Sequence, residues 1–103
     1  MGYVKLKKAA GDFDIMPDAN VATVKLDTSG AKQGKIRANY ISDLANEYTI
    51  IPAGWDVSDA ATHFVQADVT KINEALLNAK VIAGNPVPEL SKVVGEVTYA
   101  ADA

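Results

Sequence analysis

The stretch Asp68-Val69-Thr70-Lys71-Ile72-Asn73-Glu74-Ala75-Leu76-Leu77-Asn78-Ala79-Lys80 decides the fold class, because here the hydrophobic period of the chain changes. Val69, Ile72, Ala75, Leu76 and Ala79 recur at the three-and-four spacing of one helical face, while Lys71, Asn73, Glu74, Asn78 and Lys80 fall on the other. Asp68 has the short carboxylate of an N-cap, and Gly84 followed by Asn85-Pro86 is a stop signal. The spacing therefore predicts one main helix over residues 68–83.

Outward from this helix the chain reads with period two, the alternation of half-buried strands. Val4 and Leu6 alternate with Lys5 and Lys7, and Phe13 and Ile15 repeat the pattern before Pro17-Asp18-Ala19-Asn20 turns the chain, so the first two strands form a hairpin. Val21 to Leu26 is rich in β-branched residues. Asp27 to Gly34 is turn chemistry, and Lys35 to Ile41 returns as the second arm of a long-loop hairpin. Ser42 to Glu47 reads as a helical turn or a loop, and Tyr48 to Ile51 as a short strand stopped by Pro52. After the helix, Pro86 and Pro88 make an extended crossing, Val93 to Tyr99 is a last strand with Gly95 as a bulge, and residues 100–103 form a loose tail. The expected class is α+β: an antiparallel or mixed sheet of five to six strands, with the helix packed on one face, in a single domain over residues 1–103.

With 49% hydrophobic and 22% charged residues, the 103-residue chain has the composition of a folding globular domain rather than a disordered one. It has no cysteine, which excludes disulfides, thiolate metal sites and cysteine nucleophiles. The amino-terminal stretch has no uninterrupted apolar run, so neither a signal peptide nor a membrane span is expected. Residues 1–40 carry a net charge of +3 and residues 41–103 a net charge of −6. Such a split predicts a dipolar surface that steers a complementary partner, another copy of the chain included.

Each candidate for chemistry fails on a residue. Gly30-Ala31-Lys32-Gln33-Gly34-Lys35 has three residues between its glycines where a phosphate loop has four, and Ile36 where that loop has Ser or Thr. Asp12, Asp14 and Asp18 imitate calcium-loop spacing but lack its glycine and closing glutamate. Asp56 and Asp59 read as turn caps. His63, the sole histidine, has no second ligand or nucleophile at a recognisable spacing. An enzyme would have to rest on His63 with Asp56 or Asp59, and no enzyme, cofactor or metal site is expected. A chain of net charge −3 with one arginine is also a poor binder of nucleic-acid phosphates. Trp55, in the Pro52-Ala53-Gly54-Trp55-Asp56 turn, is either a plug over the sheet edge or an anchor at an interface.

The Ile72-Asn73-Glu74-Ala75-Leu76-Leu77-Asn78-Ala79 helix, the Gly84-Asn85-Pro86 break and the Val97-Thr98-Tyr99-Ala100 ending resemble, in layout, small proteins found among the structural genes of tailed phages, marine ones in particular. The resemblance covers Val69 to Tyr99 and extends to the front half through strand layout. It implies a virion component, such as a capsid decoration or neck-region protein, assembling in many copies, and it carries no catalytic residues. The expected function is accordingly non-enzymatic: binding to other protein subunits, itself or a virion protein, in the virion or the host cytoplasm, with neither nucleic acid nor membrane as partner. Candidate contact residues are Trp55, Tyr3, Lys5, Lys7, Pro86 and Pro88. The alternative is a small ligand-binding or regulatory module of a bacterial host, with a pocket near Tyr40, Tyr48 and Trp55.

Overall fold

Two sheets and one helix enclose the core of this computed structural model, which describes residues 3–17, 21–40, 43–81 and 87–101. β1 (Tyr3–Lys7) and β2 (Phe13–Pro17) form an antiparallel hairpin. Its turn is closed by Lys8 N–H donating to Asp12 O at 2.9 Å and by a Lys8–Asp12 ion pair at 3.1 Å. β3 (Val21–Leu26), β4 (Ile36–Tyr40), β5 (Asp43–Pro52) and β6 (Val94–Ala101) form a second, antiparallel sheet in the order β3-β4-β5-β6. The helix α1 (Gln66–Val81) lies in the chain between β5 and β6 and contacts β1 and β3. The class is α+β with one main helix, as expected, but the strands, expected as one sheet of five to six, are divided into a two-stranded and a four-stranded sheet, because β1 and β2 pair only with each other as a hairpin.

The alternation of the strands sorts their side chains as the pattern requires. Val4 and Leu6 of β1, Ile36 and Ala38 of β4 and Ile50 of β5 are buried together with Val69, Ile72, Ala75 and Leu76 of α1. Val24, Leu26, Tyr48 and Val97 pack against this cluster from β3, β5 and β6. Lys71, Asn73, Glu74 and Asn78 are exposed on the outer helix face. Among the described residues no helix is long and apolar enough to cross a membrane.

Three expectations change. The helix starts at Gln66, two residues before the expected start, and Asp68 is not its N-cap. Instead Asp68 reaches back from the first turn, accepting from Val65 N–H at 2.9 Å, which is the reciprocal half of a capping box. Residues 82 and 83 and the Gly84-Asn85-Pro86 stop lie outside the described residues. Ser42 to Glu47 was ambiguous between turn and loop, yet Asp43 to Glu47 belong to β5, paired on one side to β4 and from Asn46 onward also to β6. Pairing of Asp43 to β4 and of Asn46 to β6 overrides the poor strand propensity of Asp and Asn. Ala100 and Ala101, read as tail, pair with Glu47 and Asn46 at the end of β6. Finally, the basic and acidic halves are folded through one another: β4 lies beside β5, and the end of β1 meets β6 in a Lys8–Val94 bridge. The two halves of the chain are thus joined along β4 and β5 rather than folded as separate bodies. The expected bulge at Gly95 is present as a register shift between Ile51 and Pro52. A Cβ there would stand 2.9 Å from Ala53 Cα, so the close approach demands glycine.

Asp68 also ties the helix to the segment that leads into β6. Its carboxylate, 1% exposed, accepts from Ser91 N–H at 2.7 Å and Ser91 Oγ–H at 2.6 Å. Asp68→Asn turns one acceptor into a donor facing donors. It is expected to cost about 2 kcal/mol in urea unfolding, against about 1 kcal/mol for Ser91→Ala, which removes one of the three donors.

Candidate interaction surface

The candidate contact residues divide between three places. Tyr3 stands in β1 opposite Pro17, while Pro86 lies outside the described residues. Lys5 holds its ammonium 5.1 Å from the centroid of the half-exposed Phe13 ring across the hairpin. Lys7 and Pro88 are brought to one groove of about 830 Å³, between the end of the β1–β2 hairpin and residues 87–94. The groove was not legible as a unit, because its two walls are some eighty positions apart in the chain.

Trp55 is set beyond the end of β5 and turned inward. Its indole Nε1–H donates to Gln33 O at 2.9 Å, and Lys35 Nζ lies 4.2 Å from the ring centroid. The ring thereby pins the Gly30–Lys35 turn to the chain that follows β5, which is the geometry of a plug. Trp55→Phe keeps the apolar body and loses the N–H donor. It is expected to cost about 1 to 2 kcal/mol, summing one hydrogen bond and a weakened cation–π contact. Thermal melts check this, and an unchanged melt would mean that the ring acts elsewhere.

The pocket expected near Tyr40, Tyr48 and Trp55 is not where the described cavity lies. Tyr48 packs against Tyr99 across β5 and β6, with ring centroids 4.6 Å apart and the ring planes tilted by 44°, well back along β5 from the Trp55 turn. The side chain of Tyr40 lies outside the described residues.

Around His63 the polar groups serve the main chain. The imidazole is buried, its Nε2 lies 2.8 Å from the backbone oxygen of Asp56, and Gly34 packs against its ring. The Asp56 carboxylate accepts from Ser58 N–H at 3.0 Å and Ser58 Oγ–H at 2.9 Å. Those two bonds, with the nearby His63, hold it below the usual carboxylate range. Asp59 accepts from Ala61 N–H at 3.0 Å and caps the short 3-10 turn Ala60–Thr62. Both carboxylates are thus engaged as caps, as their turn context predicts. Asp12 is likewise occupied with Lys8. Among the described residues no three His, Asp or Glu side chains are grouped to hold a metal ion.

A polar cluster that sequence reading missed occupies the opposite face of the sheet. Arg37 Nη1 donates to Glu47 Oε1 at 3.0 Å and Nη2 to Asp27 Oδ1 at 2.8 Å. Nε stands 2.8 Å from Asp27 Oδ2, an ion-pair contact without hydrogen-bond alignment. Asn39 Nδ2 and Lys32 Nζ reach Glu47 at 3.4 and 4.0 Å. Burial works against the charge on Arg37, but the hydrogen bonds and charges of Glu47 and Asp27 outweigh it and raise the guanidinium above its ordinary value. A signal existed: Arg37 is the sole arginine of the chain and sits in a strand. Its partners could not be named without the register.

Comparison of the chain with family models, with characterised proteins and with solved structures found no match.

Proposed function

We propose that the chain is a non-enzymatic interaction protein that assembles with other protein subunits, copies of itself or a virion protein, in the manner of a capsid decoration or neck-region component. The observation that carries this reading is the outer edge of the four-stranded sheet. β6 is the last strand in the sheet order and is eight residues long, with Glu96 as its one charged residue and no proline. Beyond the Lys8–Val94 bridge, Glu96 to Ala101 present an edge of main-chain donors and acceptors, and Tyr99 beside it is 45% exposed. Soluble proteins blunt such edges with lysines, prolines or bulges. The opposite edge, β3, is blunted in this way, carrying Lys25 and a register shift between Val21 and Thr23. β6 carries a bulge of its own at Gly95, yet among the described residues the stretch Glu96 to Ala101 that follows it contains neither lysine nor proline, and this stretch supports strand addition by a second subunit.

The virion setting rests on the resemblance in sequence layout to small phage structural proteins. The non-enzymatic reading is supported by the main-chain contact of His63 and by the capping roles of Asp56 and Asp59. Light scattering on the purified protein, alone and mixed with candidate virion proteins, tests the proposal. Oligomers or stable mixed complexes are expected, with loss of assembly in Thr98→Pro. A strict monomer with no partner would overturn it.

A further inference from the structure

We infer that the groove between the β1–β2 hairpin and residues 87–94 binds an extended, acidic and apolar peptide segment of a partner protein. The inference goes beyond the β6 edge, though it rests on the same reading of the chain as an interaction protein. The groove holds about 830 Å³, within the range of functional sites, and it is open to solvent between the end of the hairpin and the segment that leads into β6. Its walls are fixed to each other, since Ala9 N–H donates to Val94 O at 2.8 Å and Lys8 bridges Val94. A preformed trough of this kind loses little freedom when a chain is laid into it.

The lining sets the chemistry of the occupant. Val87 and Val93 are 48% and 54% exposed there, and Leu90 is half-buried between them, which provides sites for apolar side chains. Lys7, Lys8 and Lys92 line the same groove against the single carboxylate of Glu89. The site is therefore locally basic in a chain whose net charge is −3. Lys8 is engaged with Asp12, which leaves Lys7 and Lys92 as the main attraction for carboxylates. Alternating acidic and apolar side chains on an extended segment match this arrangement, with charge setting specificity and the apolar floor supplying burial.

The test is selection of a random heptapeptide library on the purified chain, followed by fluorescence anisotropy with the enriched peptides. Enrichment of Asp or Glu beside Leu, Ile, Val or Phe is expected, with affinity falling tenfold or more in Lys7→Glu/Lys92→Glu and at high salt. A thermal melt of that double variant confirms that these surface changes leave the fold intact. Peptides without acidic bias, or equal binding to the double variant, would overturn the inference. So would equal binding of a single-stranded oligonucleotide or of phosphatidylserine vesicles, which would make the lysines a general phosphate surface. The outcome is separable from that of the assembly reading. A protein that assembles by light scattering yet selects no acidic peptides sinks the groove alone, and one that selects them while remaining a strict monomer without virion partners sinks the assembly alone.

Discussion

Replacing Arg37 by Ala is expected to destabilise the protein by about 3 to 5 kcal/mol, the range for removing one partner of a buried ion pair. The side chains of Asp27 and Glu47 are 12% and 4% exposed, so neither carboxylate can recover its hydration when the guanidinium goes. Lys32, whose Nζ is 4.0 Å from Glu47 Oε1, carries a compact ammonium and not the planar guanidinium that donates to both carboxylates at once. With a urea dependence of about 1.5 kcal/mol/M, the unfolding midpoint should fall by about 2 to 3 M. Arg37→Lys should lie between wild type and Ala, because it restores the charge without the planar donor geometry. Replacing Asp27, Arg37 and Glu47 together by apolar residues of similar volume should cost less than Arg37→Ala alone, because no unpaired charge is then buried. A triple variant as unstable as the single one would mean that the cluster acts through shape rather than charge.

This cluster marks where sequence legibility ends. The helical face of Val69, Ile72, Ala75 and Leu76 and the alternation of Val4 with Leu6 were readable, because each depends on spacing within one element and each is met by burial in the fold. The Gly95 bulge was readable too, since a glycine inside a strand has few other uses. The Arg37 cluster and the lysine-rimmed groove were not, because both arise from register between distant segments. Asp68 shows the same limit within one residue. Its capping chemistry was visible, but its hydrogen bonds to Ser91, 23 positions away, were not. The strand at Asp43 to Glu47 was obscured for a related reason: its pairing partners, not its own residues, make it a strand.

Gly34→Ala is expected to be of comparable severity, and the position of His63 makes the cause resolvable. Gly34 has φ of +93°, a conformation that costs a residue with a Cβ about 1 to 2 kcal/mol. The added Cβ would also fall 2.3 Å from His63 Cγ and 2.7 Å from His63 Cβ, so the ring must leave a buried site, at a further cost of about 1 to 3 kcal/mol. Gly34 O accepts from Phe64 N–H at 3.0 Å, so moving Gly34 instead would loosen a buried core residue. The melting temperature should drop by about 15 °C, taking about 5 °C per kcal/mol for a chain of this size. Gly30→Ala separates the two causes. Its φ is +82° but nothing lies within 4 Å of its Cβ position, so only the backbone strain of about 1 kcal/mol should appear. Combining Gly34→Ala with His63→Ala removes the ring but leaves the His63 Cβ in the way. The double variant should therefore be more stable than the sum of the two single losses predicts, by about 1 kcal/mol, without returning to the level of His63→Ala alone. Strict additivity would show that the turn yields without touching His63, and that the contact between the Gly34 turn and His63 is not what holds the chain beyond β5 in place.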